Sequence, residues 1–247
     1  MNRTREISFL LIASLSAGGC IHPIQLRIPV DDKVQNSSEI IPVIHSQRTL
    51  MSSTAQYAEF TAGFKNTFQA DKNQEGFSRD FREVDKMTLH AATGEDWQIQ
   101  CTIEVSASGI VKHLESIDDQ RETCDYVQLG KTESFGKLEI EYVPSENWKT
   151  RGGYQGRFVE GEKVIVEFRS IQRDAGGRAI PATIGFDILI NGQPVGAIQE
   201  FITKDPKIWM PKTISARERL AIALAAPPLL RFERPDKLRM RHLSLAQ

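Results

Sequence analysis

The sequence predicts an α+β, mainly β fold: an antiparallel sheet or β-sandwich with about two packed helices. Three observations carry this reading. Apolar residues alternate with polar ones in several segments, short turn-rich stretches join those segments, and only two stretches carry a helical signature.

The first helical stretch lies between Arg48 and Ala70. Tyr57, Phe60, Phe64 and Phe68 recur there at three- and four-residue intervals, which places them on one face of a helix near 48–70. After the charged run Asp71 to Asp85 the pattern becomes that of strands. In "DWQIQCTIEVS", Trp97, Ile99, Cys101, Ile103 and Val105 alternate with polar residues, so Cys101 points inward. "KMTLHA", joined to it by "ATGED", completes a hairpin. "GIVKHLESI" is expected to pair next, and the polar "DDQRET" to bring Cys124 back beneath the sheet.

Alternation returns in "KLEIEYV" and "EKVIVEF", with the glycine-rich "SENWKTRGGYQGRF" between them read as a loop. "FDILINGQPVGAIQEF" places two apolar runs around Asn191-Gly192, a dipeptide that reaches positive φ easily and suits a tight hairpin turn. Ser215 followed by Glu218 makes a capping-box signature, which predicts a second helix over 216–225 ending at Pro227-Pro228. Leu229 to Phe232 is read as a closing strand. Residues 235–247 form a basic tail, and the globular domain spans 47–234.

Residues 20–46 read as a membrane-proximal tether able to add an edge strand to that domain, because short apolar stretches alternate there with polar ones and proline is tolerated at sheet edges. Ahead of the tether, Arg3 and Arg5 precede an apolar run from Ile7 to Leu15, and Ser16, Ala17, Gly18 and Gly19 lead directly to Cys20. A positive start, a short apolar run and a small-residue exit describe a secretory leader over 1–19. The run is too short to span a bilayer, which takes roughly 20 apolar residues. With Ala17-Gly18-Gly19-Cys20 as its lipobox, the segment resembles a bacterial lipoprotein precursor, although Ala17 stands where the family most often has Leu.

The resemblance implies cleavage before Cys20, acylation of its thiol (palmitate among the chains) and retention at a membrane. Several acyl chains together make such an anchor lasting. In a Gram-negative cell, Ile21 in place of an aspartate implies passage to the outer membrane facing the periplasm. In that disulfide-permitting compartment, Cys101 and Cys124 remain as an even pair and are expected to be bonded.

The chain carries 31 basic and 32 acidic side chains, a balance that argues against nucleic acid or a broad anionic surface as partner. Its five histidines show no metal-binding spacing, neither Cys101 nor Cys124 has a second ligand at such spacing, and no cofactor is predicted. Ser134-x-x-Lys137 falls ahead of a strand rather than at a helix start, which leaves the acylase pattern incomplete. No catalytic residue is assigned.

Exposed aromatic and basic residues anchor interfaces, so two clusters are the candidate partner-binding sites: Trp148, Arg151 and Tyr154, and Lys207, Trp209 and Lys212. Each tryptophan is also read, alternatively, as a plug over the sheet end. The expected function is a non-enzymatic envelope lipoprotein that binds an envelope protein or another envelope component. A periplasmic immunity protein against a secreted toxin is one alternative. An envelope hydrolase with a site assembled from distant residues is another.

Overall fold

The computed structural model describes residues 27–49, 52–65, 70–75, 78–108, 116–144, 152–177, 179, 183–200 and 205–231. Among them the mainly β class is plain, with antiparallel strands and two helices. The chain opens with α1 (Asp32–Ser37), β1 (Ser38–Pro42), β2 (Ile44–Thr49), β3 (Ser52–Tyr57), β4 (Phe60–Lys65) and β5 (Ala70–Glu75). The long strands β6 (Ser78–Ala91), β7 (Asp96–Ser108), β8 (Ser116–Gln128) and β9 (Ser134–Val143) follow. Then come β10 (Gly153–Glu160), β11 (Lys163–Ile171), β12 (Gly185–Ile190), β13 (Gln193–Gln199), β14 (Lys207–Pro211) and α2 (Ala216–Leu230).

All the strands belong to one sheet. Its hydrogen-bonded path runs β1-β14-β13-β12-β11-β10-β9-β8-β7-β6-β4-β3-β2, with β5 paired to β6 off that path. The ends of the path are β1 and β2, yet Val43 alone separates them in sequence. The sheet must therefore curl until its two edges meet. Val43 marks this seam: its side chain is buried and its N–H donates to the carbonyl of Pro206 at 3.0 Å. A single curled, nearly closed sheet thus replaces the expected alternative of two stacked layers.

The inside of the curl is filled by α2. Residues Ala221 through Leu230 are all buried, as expected for a helix that is apolar on every side. The helix packs against β11, β12 and β13, while Tyr57 at the end of β3 donates its hydroxyl to the carbonyl of Ala223 at 2.9 Å. One helix therefore touches distant parts of the strand order. Leu138, Ile140 and Phe158 face it, whereas Lys137, Glu139 and Arg157 point outward, with Arg157 Nε 2.7 Å from Glu139. This arrangement is the reverse of a lipid-spanning barrel, which turns its apolar residues outward.

Four expectations are corrected here. The 48–70 segment is not helical, because β3 and β4 form a hairpin in which Tyr57 pairs with Phe60. A spacing of three across the tight turn and of four along β4 reproduces a helical stripe while placing Tyr57, Phe60 and Phe64 on one sheet face. Phe68 lies outside the described residues. The second helix runs through Pro227-Pro228 to Leu230, so no closing strand begins at Leu229. Part of the glycine-rich loop, from Gly153, is strand β10. Finally, the expected tether does more than add an edge strand, since from Arg27 onward it supplies α1, the edge strand β1 and the start of the edge strand β2.

The Asn191-Gly192 turn is as expected. Both residues have positive φ, 51° and 74°, and they join β12 to β13 directly. Cys101 and Cys124 face each other across β7 and β8 and form a disulfide.

Candidate binding cleft

A second, smaller apolar cluster lies on the outer face of the sheet, where Ile28 and Val34 pack against Ile171, Ile184, Ala197 and Trp209. Its lid is the segment from Arg27 through α1. Asp31 caps α1 by accepting from the Lys33 N–H at 2.7 Å, and Val34 is the residue that α1 buries. Upstream, the Ala175 N–H donates to the Arg27 carbonyl at 2.9 Å, so the incoming chain is pinned at two points.

Between this lid and the sheet lies a cleft of about 340 Å³, at the low end of the size range of small-molecule sites. Trp209 and Ile40 are register partners in β14 and β1, so both present their side chains on the outer face. Trp209 is 9% exposed and Ile40 is 53% exposed, which gives the cleft a packed floor and an open apolar rim. Ile28 and Val30 supply apolar surface from the lid.

Arg27, Lys207 and Asp205 bring charge to the same lining. Among the described residues neither basic group has an acidic partner within ion-pair distance, unlike Arg157 or Arg169, which pair with Glu139 and Asp187. Gln199 steadies the far wall by donating to the Asp205 backbone carbonyl at 3.0 Å, and Gln35 donates to the Val30 carbonyl at 2.9 Å. The cleft can thus hold a small molecule against an indole while offering two cations and one carboxylate.

The structure divides the two predicted binding clusters. Lys207 and Trp209 line the cleft, but Lys212 sits apart, its Nζ 3.5 Å from the Asn36 carbonyl. Trp209 combines both readings, since it packs into the sheet's outer cluster and floors the cleft. Tyr154 is not a surface residue: β10 turns it inward against Tyr142, with ring centres 5.4 Å apart, and its hydroxyl donates to Gln120 Oε1 at 2.8 Å. Trp148, Arg151 and Cys20 lie outside the described residues. The contribution of Arg27, Ile28, Val30 and Ile40 was missed because their stretch was read as a tether. The signal was present, since Ile28 and Val30 repeat at a spacing of two.

One interior grouping has metal-ligand chemistry. Cys101, Glu122 and Cys124 converge, with Cys124 Sγ 3.6 Å from Glu122 Oε1. Because the two sulfurs are bonded to each other, neither offers a thiolate to a metal in this state. Among the described residues Ser134 faces no base: its hydroxyl shares its one hydrogen between the carbonyls of Tyr126 and Gly136, while Lys137 lies 3.7 Å from Glu139.

No protein-family model, curated protein or solved structure matches the chain. Its function is therefore argued from its own residues.

Proposed function

We propose that this chain is a lipid-anchored envelope lipoprotein, held through acyl chains on Cys20 at the outer membrane facing the periplasm, whose β body is a non-enzymatic binding module. The supporting observation is the wall of the cleft. The segment that follows the lipobox, from Arg27 to Gln35, forms one side of a concave site on the sheet's outer face. Binding requires such concavity with a few placed polar groups; catalysis would in addition need a positioned nucleophile or acid–base pair.

Photo-cross-linking in native envelopes tests the binding role. A photoreactive residue replacing Ile40, at the cleft rim, should give a discrete adduct that disappears when Trp209→Ala is added. The same residue replacing Val164, exposed elsewhere on the sheet, should give none. Equal adducts from both positions, or none from Ile40, would overturn the assignment of the cleft.

A further inference from the structure

We infer that the cleft takes a compact anionic amphiphile: a phosphate or carboxylate head set against Arg27 and Lys207, with a short apolar body laid on Trp209. The inference rests on the binding role proposed above and specifies its ligand. Charge supplies the first argument. Two cations and one carboxylate give the lining a net positive charge, and the Arg27 guanidinium and the Lys207 ammonium are not committed to any acidic partner among the described residues. A charge-assisted hydrogen bond to an anion is about twice as strong as a neutral one, so this pair favours an anionic head over a neutral one. Asp205 adds an acceptor suited to a hydroxyl or ammonium on the same ligand.

Size and surface supply the second argument. A cleft of about 340 Å³ is at the low end of small-molecule sites, a size suited to a charged head and a short apolar portion. Trp209, Ile28, Val30 and Ile40 give that short apolar portion its surface.

Position supplies the third. Seven residues from Cys20 to Arg27 span at most about 25 Å even when fully extended. With acyl chains on Cys20, the cleft would therefore open close to the membrane surface, where lipid headgroups are concentrated. Arg27 belongs to the tether side and Lys207 to the sheet, so a bound anion would also clamp the lid onto the body.

The test is a calorimetric and tryptophan-fluorescence titration of the full chain carrying Cys20→Ser, so that its outcome does not depend on acylation. Dihexanoyl phosphatidylglycerol, whose head and first carbons would enter the cleft while its chains extend past the open rim at Ile40, should bind saturably. Hexanoate, a free anionic amphiphile, should bind if soluble sources serve as well as lipid. Hexyl glucoside, which is neutral, and inorganic phosphate, which lacks an apolar body, should bind at least about tenfold more weakly. Arg27→Ala and Lys207→Gln, both with an unchanged melting temperature, should each weaken binding about tenfold, and added salt should weaken it further. Trp209→Phe should remove most of the fluorescence response while calorimetric heat persists.

Glucoside binding as tight as the lipid's, or affinity indifferent to both cation substitutions, would overturn the inference. If neither anionic amphiphile binds while the Ile40 cross-link persists, the ligand class is wrong and the binding role stands. If the cross-link fails as well, both fall.

Discussion

Tyr57 and Tyr126 are both fully enclosed phenols, but their hydroxyls meet different surroundings. Tyr57 donates to the Ala223 carbonyl in α2, whereas the Tyr126 hydroxyl has no hydrogen-bond partner among the described residues. A made hydrogen bond contributes about 1 kcal/mol net, while a buried group without a partner carries a desolvation cost. Denaturant unfolding should therefore show Tyr57→Phe destabilising the fold by about 1 kcal/mol, with Tyr126→Phe neutral or stabilising. A substantial loss in Tyr126→Phe would mean that its hydroxyl is satisfied after all.

Burial pushes both phenols well above the usual tyrosine range, with Glu59 adding to the effect at Tyr57 and Glu122 at Tyr126. The native state thus holds these protons more tightly than the unfolded chain does. Stability present below about pH 10 should fall as pH rises beyond it, and the Tyr57→Phe, Tyr126→Phe double variant should flatten that alkaline loss. The partner of Tyr57 could not be read from sequence, because it depends on where α2 lies within the curl.

At the level of elements, the start of α2 was fully legible. The Ser215 hydroxyl accepts from the Glu218 N–H at 3.2 Å, and the Glu218 carboxylate accepts from the Ser215 N–H at 2.8 Å. These two hydrogen bonds complete the capping box expected from Ser215 and Glu218. Ser215→Ala should cost about 1 kcal/mol in denaturant unfolding. The bonds from Ser215 hold the Glu218 carboxyl below the usual carboxylate range. Its contribution is therefore present above that range and is lost as pH falls through the lowered value. Glu218→Gln should make stability less sensitive to acid, and an unchanged acid limb would remove this group from the account.

The end of α2 was not legible. Pro227 and Pro228 remove two amide hydrogens, yet the helix continues to Leu230 because the surrounding sheet packs it on every side. The β3–β4 hairpin is the opposite case, since its aromatic spacing fits a helix and a tight turn equally well. Only the pairing of β4 with β6 decides for the sheet. Strands with clean alternation, such as β7 and β9, were evident from the sequence because each has one apolar and one polar face.

For the whole molecule, sequence carried the class and left the closure hidden. Alternation reports that a strand has a buried face but not which strands neighbour it, so the meeting of β1 and β2 at Val43 has no local signal. The same limit hid the cleft, which unites the segment from Arg27 to Gln35 with a strand nearly two hundred residues later. It also hid the convergence of Glu122 with the disulfide, although Glu122 and Cys124 two residues apart on one strand share a face.

The proposed arrangement joins these pieces as an acylated start, a short tether docked on the sheet and a cleft beside the membrane. Its placement at a membrane depends on Cys20. Intact-mass analysis of the native protein from the membrane fraction is the most direct measurement. The account predicts a chain that begins at Cys20 and carries the added mass of several acyl chains. A product that keeps residues 1–19, or starts elsewhere with no hydrocarbon mass, would contradict it.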